Sequence, residues 1–200
     1  MALKTVTKLF GVDDAKLFPV TEDSADNFKC GAGIDLPGVR QISVTYEMEE
    51  KSLTGDEKVL EISNKIKSVT FNMEYAKLSL EVLAQLTGGS YKTSGSGDNE
   101  VGTFSFGGGD LPNYFQLKAQ ILDTSNDGGD VHFCIYKAKA TAIPINGVQD
   151  DFATLTFDGK GVYTEHEFGE EGSKQTKLID IEIHSKAQDL AATTDVKASA

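Results

Sequence analysis

The chain has 200 residues, which is enough to bury a hydrophobic core as one domain. Its 31 acidic and 19 basic side chains give a formal net charge of -12 and a pI near 4.6. This balance argues against a protein that wraps nucleic acid, because phosphate binding needs clustered Lys and Arg. The sequence contains no run of about 18 apolar residues that could cross a membrane. It therefore favours a soluble protein made in the cytoplasm.

The composition and the first 40 residues predict strands and loops. Twenty Gly, four Pro and no Trp, with short runs of Thr, Val, Ile and Phe, are typical of strands joined by tight turns. We therefore predict a mainly β fold with little helix. Residues 3–10 and 15–20 are the first candidate strands. Residues 21–40 are rich in turn signals, such as Pro37-Gly38, and are predicted to form a long loop.

The clearest pattern is a long amphipathic hairpin at residues 40–75, with a tip at 52–56. Apolar and polar side chains alternate in its first arm, as they do in a half-buried strand. The second arm alternates too, but its parity changes near Lys67, which predicts a β-bulge. The predicted packing face consists of Ile42, Val44, Tyr46, Val69, Phe71 and Met73. The predicted polar face consists of Ser43, Thr45, Glu47, Glu49, Ser68, Thr70, Asn72 and Glu74.

One segment after the hairpin breaks the β pattern and predicts a short α-helix at residues 79–87. Ser79 is a candidate N-cap, because a serine hydroxyl can accept a hydrogen bond from the first helical turn. Gly88 is a candidate stop, because glycine readily adopts the left-handed conformation that ends many helices. Leu83 and Leu86 have the spacing of side chains that face the core.

Further strands follow the helix, and they end in a polar tail. A second hairpin is predicted from alternating apolar residues at 115–121 and 131–135, joined by a turn at 126–129. Other predicted strands lie at 90–96, 101–106, 138–143, 153–157 and 178–183. Residues 186–200 are mostly Ala, Thr and Ser with little to bury. We therefore predict a single domain at 1–185 and a C-terminal tail or docking arm at 186–200.

No motif for catalysis or metal binding is recognisable. His132, His166 and His184 lie on separate predicted elements, and Cys30 and Cys134 form no CxxC pair. Ordinary sheet histidines and reduced cysteines are therefore favoured. The acidic turn of the second hairpin lacks the ligand spacing of a calcium loop. Neither a phosphate-binding loop nor a nucleophile elbow is present, so the sequence predicts no enzymatic activity and no cofactor.

Acidic residues concentrate in the long hairpin. Residues 47–61 include Glu47, Glu49, Glu50, Asp56, Glu57 and Glu61, against only two lysines, Lys51 and Lys58. We therefore expect the polar face of the hairpin to be acidic. A solvated surface of a soluble protein would explain the same pattern when it is considered alone.

The order of these elements resembles the major tail tube protein family of long-tailed (siphovirus-type) bacteriophages. One part of the resemblance is the strand VTFNMEY (69–75) leading directly into the helical segment LSLEVLAQLTGG (78–89). The other part is the stretch FCIYKAKATA (133–142) followed by DFATLTFDGK (151–160). The likeness is one of pattern and order, and it spans about residues 40–165.

The resemblance implies a β-sandwich or barrel core with one helix and a long inward hairpin. Subunits would form homohexameric rings that stack into a hollow tail tube of the virion. Hairpins of neighbouring subunits would join into a continuous barrel, which would pair the open edges of a long hairpin. The polar face would then line the lumen, and its acidic charge would repel DNA phosphates and let the genome pass without specific binding.

The resemblance also implies the surfaces and partners of assembly. The N-terminal residues, the segments 21–40 and 49–57 and the C-terminal tail would contact the next ring. The tape measure protein, the tail terminator and the distal tail proteins would be further partners, and no membrane would be involved. The protein would be made in the cytoplasm of the host bacterium and end in the virion tail.

Two other interpretations are left open by the sequence. The inner tube of a contractile tail, or of a type VI secretion-like system, would share the fold and differ in its surrounding machinery, so that an accompanying sheath gene would distinguish it. A soluble ligand-binding β-sandwich would show the same alternation. It would also need an aromatic or polar pocket, which the lack of Trp disfavours.

Overall fold

Antiparallel strands make up most of the structure, a computed structural model that describes residues 9–56, 58–123, 129–145 and 154–196. The strands before the helix are β1 (Leu9–Asp23), β2 (Asn27–Cys30), β3 (Ile34–Asp35), β4 (Val39–Gly55) and β5 (Lys58–Tyr75). Helix α1 (Leu80–Thr87) follows, and then β6 (Ser90–Ser94), a 3-10 turn (Gly97–Asn99), β7 (Val101–Ser105), β8 (Phe115–Asp123) and β9 (Asp130–Ala142). The remaining strands are β10 (Leu155–Val162), β11 (Glu167–Phe168), β12 (Gln175–Thr176), β13 (Ile179–His184) and β14 (Asp195–Val196).

Ten of these strands form one large sheet. Eight of them follow the order β14-β2-β1-β8-β9-β10-β5-β4, and the other two branch from it, since β3 pairs with β1 and β13 pairs with β9. Strand β9 belongs to two branches, since residues 130–135 pair with β13 and residues 137–142 pair with β10. The sheet folds over so that β1 lies near β4 without backbone pairing among the described residues. The mainly β, sandwich-like fold is therefore confirmed, and no closed barrel is formed by the described part of the chain.

The core lies between the folded-over parts of the sheet and beneath α1. Phe71, Phe115 and Phe157 meet edge to face there, with ring centroids 5.9 to 6.5 Å apart. Gly159 lies opposite Phe71 in the pairing of β10 with β5. A Cβ atom at Gly159 would lie 2.1 Å from the Phe71 ring, so glycine makes room for the ring to cross the strand.

The predicted long hairpin is present as β4 and β5. Glu47 pairs with Ser68 and Met48 pairs with Ile66, which leaves Lys67 as the extra residue and confirms the predicted bulge. The predicted tip at 52–56 is too wide, because pairing continues to Gly55 and Lys58.

Helix α1 begins and ends where its caps predict. The Ser79 hydroxyl accepts a hydrogen bond from the Val82 N–H at 3.3 Å, and Gly88 adopts φ 78° after the last helical residue. Leu83 and Leu86 are buried, as predicted, and so is Val82.

Other sequence-based boundaries are also wrong. The predicted loop at 21–40 contains the end of β1, two short strands and the start of β4, because its turn signals mark tight turns between strands. The strand predicted at 15–20 is part of the longer β1, and the strand predicted at 138–143 is the second half of β9. Most of the strand predicted at 3–10, and the turn at 126–128, lie outside the described residues.

The C-terminal segment runs back along the body. Leu190 is buried, and the Thr193 N–H donates to Gln116 Oε1 at 2.8 Å. Strand β14 then pairs with β2. The expectation that residues after 186 have little to bury is therefore wrong for Leu190, and the described part of this segment docks on its own chain.

Candidate functional site: the polar sheet face and the projecting arm

One face of four neighbouring strands carries mostly polar side chains. Register places β4, β5, β10 and β9 side by side, and alternate residues of each strand share a face. The opposite face of β5 and β10 packs into the core through residues such as Phe71 and Phe157. We call this surface the polar sheet face, and its members include Ser43, Thr45, Glu47, Ser68, Thr70, Asn72, Glu74, Thr141, Asp158 and Lys160.

Hydrogen bonds and ion pairs cross the strands on this face. Lys160 Nζ lies 2.6 Å from Glu47 Oε2, and the Ser68 hydroxyl donates to the same oxygen. The hydrogen bond from Lys160, and to a smaller extent that from Ser68, holds the pKa of Glu47 below its ordinary value. Asn72 Nδ2 donates to Asp158 Oδ1 at 2.7 Å.

The expectation of an acidic face needs correction. Besides Glu47, the predicted polar face contains two other carboxylates that have cationic partners. Glu49 lies 3.6 Å from Lys51, and Glu74 lies 3.6 Å from Arg40. A count of charges within the hairpin sequence does not include Lys160, which lies on β10 and is distant in sequence from Glu47. The three carboxylates of the predicted polar face therefore each have a cation within 4 Å, whereas Asp158 beside them accepts from the neutral amide of Asn72.

The predicted face residues differ in exposure. Ser43, Thr45 and Glu49 are exposed, and Glu47, Thr70, Asn72 and Glu74 are half-buried. Ser68 is 2% exposed, so this predicted polar-face residue is shielded from solvent. On the packing face Val69, Phe71 and Met73 are buried, and Ile42 and Val44 pack half-buried against the core. Tyr46 is 41% exposed, so its predicted packing is wrong: the alternation continues beyond the point where the core ends.

The outer half of the long hairpin has no cover on either face. Every side chain that the structure describes between residues 48 and 65 is exposed, and we call this part the projecting arm. Large apolar side chains lie along it, namely Met48, Leu53, Val59, Leu60 and Ile62, each more than half exposed. A two-stranded hairpin alone is marginally stable in water, and clustered exposed apolar groups mark a surface that binds a partner.

Two of the three histidines come together outside this face. Asp130 and His132 lie on β9, and they are paired with His184 and Glu182 of β13. Asp130, His132 and His184 each have a possible ligand atom within 4.8 Å of the others. His132 and His184 do lie on separate strands, as the sequence indicated, and the pairing of β13 with β9 brings them together. The patterns Asp-x-His and Glu-x-His in two strands were visible in the sequence, but the pairing of β13 with β9 was not.

The third histidine and the two thiols lie elsewhere. His166 Nε2 lies 3.2 Å from Asp195 Oδ2. Cys30 and Cys134 are free thiols, and burial raises their pKa values to about 11 and about 12. Such thiols are poor nucleophiles at neutral pH, because the reactive form is the thiolate.

A search of the described helices for a segment able to cross a bilayer finds none that is sufficiently long and apolar. No protein-family model matches this chain, and no curated protein matches it.

Proposed function

We propose that this protein is the subunit of a phage tail tube, in which six copies form a ring and stacked rings enclose a channel for DNA. The observation that carries the proposal is the projecting arm, whose apolar side chains and open strand edge have no partner among the residues that the structure describes. In this proposal the virion tail is the site of function. The tape measure, tail terminator and distal tail proteins are then its other partners.

A second copy of the chain is the partner that fits the arm best. Strand β4 pairs on one side only with β5 among the described residues, so its other edge has free backbone donors and acceptors. A ring of identical arms closes by rotation and gives every arm the same neighbour, which leaves no edge unpaired. The neighbour would also cover apolar side chains such as Met48 and Ile62.

The polar sheet face would line the channel beside the arms. Small polar groups such as Ser43 and Thr45 are exposed there, and the carboxylate of Glu47 is paired with Lys160. Tight binding of DNA requires many cations that contact phosphate. A face on which Lys160 is already paired with a carboxylate would hold the duplex at few points and let it slide.

Electron microscopy of an arm-shortened variant tests this proposal. In this variant the dipeptide Asn-Gly replaces residues 50–64. Glu49 and Lys65, which are paired across the hairpin, then flank a two-residue turn. We expect concentrated wild-type protein to form six-fold rings or hollow tubes in negative stain, and the variant to remain monomeric with an unchanged Tm, since the arm buries nothing in the body.

Two results would contradict the proposal. One is the formation of tubes by the arm-shortened variant. The other is a wild type that stays monomeric at all concentrations, which would favour a ligand-binding sandwich. Circular dichroism of both proteins ensures that a loss of assembly is not a loss of fold.

A further inference from the structure

The histidine cluster lies where the first half of β9 pairs with β13. Asp130 is opposite His184, and His132 is opposite Glu182. Residues two apart in a strand share a face, and so do residues directly opposite in an antiparallel pair. Two imidazoles and two carboxylates therefore project from the same face of these two strands in adjacent rows.

The distances within the cluster are close to those of a metal site. His132 Nε2 lies 3.0 Å from Asp130 Oδ2, and Glu182 Oε2 lies 3.4 Å from His184 Nε2. Asp130, His132 and His184 have ligand atoms that all lie within 4.8 Å of one another. Ligand atoms about 2.1 Å from a tetrahedral zinc ion are about 3.4 Å from each other, so small side-chain rotations would complete the geometry.

The Asp130 carboxylate gives independent support for a bound cation. It is fully buried, and its Oδ2 accepts hydrogen bonds from Gln120 Nε2, from the Gln188 N–H and from His132. Its Oδ1 is also buried and has no hydrogen-bond partner among the described residues. A buried carboxylate oxygen without a partner is costly, and a metal ion would offset that cost.

We propose that Asp130, His132 and His184 bind a divalent transition metal of the zinc class, with Glu182 as the fourth ligand. Two imidazole nitrogens and two carboxylate oxygens suit Zn²⁺, and four protein ligands complete a tetrahedral site. Such a closed site is structural, because no position is left for water or substrate.

The ion would tie three parts of the fold together. It would cross-link β9 and β13 at the end of β13. Through the Gln188 N–H, which donates to Asp130, it would also hold the start of the C-terminal segment. The site lies apart from the polar sheet face and the projecting arm, so the proposal does not depend on tube formation.

Zinc binding by the full chain tests the site. The protein is stripped with a chelator, and Zn²⁺ uptake is then measured by equilibrium dialysis against a competing chelator. We expect saturation at about one ion per chain and a higher Tm with zinc, since a metal bound to the native state stabilises it. Co²⁺ should give the intense visible absorption of a tetrahedral site.

Three variants separate this site from general surface binding. His184→Gln and Glu182→Gln should each weaken zinc binding by about tenfold or more, since even residues that support a ligand have effects of this size. His166→Gln is the matched control, because His166 pairs with Asp195 outside the cluster, and it should bind zinc like the wild type.

Some results would overturn the proposal. Weak uptake of several ions, or uptake that is the same in His184→Gln as in the wild type, would mean that surface carboxylates bind the metal. If His184→Gln fails to fold by circular dichroism, Glu182→Gln decides the question. The Glu182 side chain is 50% exposed, so its replacement has little effect on folding.

Discussion

Asp23 and Lys137 form a buried ion pair that joins the end of β1 to β9, and the same carboxylate also contacts the segment after β10. Lys137 Nζ lies 2.6 Å from Asp23 Oδ2, and the N–H groups of Glu165 and His166 donate to the same carboxylate. Burial alone would raise the pKa of Asp23. The hydrogen bonds from Lys137 and from the two backbone donors outweigh burial and hold this pKa below its ordinary value. Burial alone would lower the pKa of Lys137, but the carboxylates of Asp23 and Glu165 together outweigh burial and raise this pKa.

Replacing Asp23 should therefore be strongly destabilising. We expect Asp23→Asn to lower the free energy of unfolding at pH 7 by about 3–5 kcal/mol, because it leaves the buried Lys137 ammonium with only the exposed Glu165 carboxylate, 3.4 Å away. Urea unfolding measures the change. Asp35→Asn is the control, since Asp35 pairs with Lys16 on the surface, and it should cost less than about 1 kcal/mol. Equal losses in the two variants would contradict this role for the pair.

The same pair predicts a dependence on acid pH. A carboxyl with a lowered folded-state pKa contributes stability above its unfolded-state pKa of about 3.9, and this is lost as pH falls through the folded value. We therefore expect the stability difference between wild type and Asp23→Asn to stay constant at neutral pH and to shrink below about pH 4. Urea unfolding at a series of pH values measures it, and a difference that stays constant in acid would contradict the prediction.

At the scale of elements, the end of α1 is fixed by one close approach. Gly88 has φ 78°, and a Cβ atom there would lie 2.0 Å from the backbone oxygen of Leu111. The left-handed conformation and the adjacent backbone thus both require glycine at this position. The end of the helix therefore packs directly against the loop before β8.

Gly88→Ala should cost more than left-handed strain alone. We expect it to lower the free energy of unfolding by about 2–5 kcal/mol, the sum of that strain and of a backbone clash. The matched control is Gly97→Ala, because Gly97 also has positive φ but nothing lies within 4 Å of an added Cβ. The control should lose only about 1–2 kcal/mol in urea unfolding. Similar losses of unfolding free energy in the two variants would contradict the prediction, because they would mean that the backbone at Leu111 can move away from an added Cβ at little cost.

Local signals made some elements predictable from sequence. The capping residues Ser79 and Gly88 predict both ends of the helix. The change of parity near Lys67 predicts the bulge at its observed position. Alternation also assigned the faces of the hairpin correctly. It could not show where the core ends, so Tyr46 was placed inside.

Contacts between distant strands were not predictable in the same way. The Lys160–Glu47 pair depends on β10 lying beside β5, and the meeting of His132 with His184 depends on the register of β13 against β9. Register between strands far apart in sequence is set by the packing of the whole sheet. A single sequence contains no local signal for it.

At the scale of the whole molecule, the projecting arm is the part that assembly would change most. Its described side chains are exposed in the single chain, including Lys51 and Lys58. A neighbouring subunit would cover them and pair the edge of β4. The body, with its core around Phe71 and Phe157, would change little.

Limited proteolysis should report this difference. We expect trypsin to cut after Lys51 or Lys58 first in the monomer, and these sites to be protected in rings or tubes, as read by mass spectrometry. Lys137 is 8% exposed and is the internal control, which should resist cleavage in both states. Equal rates of cleavage of the arm before and after assembly would contradict its place in the interface between subunits.

The bulge at Lys67 also constrains how the arm can vary in length. Below the bulge, Val69 and Phe71 of β5 face the core, whereas beyond it Ile62 and Ile66 lie on that side. Inserting or deleting one residue in each strand would turn every side chain beyond that point to the opposite face of the hairpin. Viable changes of length therefore come in steps of two residues per strand, each about 6.8 Å of reach. Related chains with the same body would therefore be able to change the reach of the arm only in such increments.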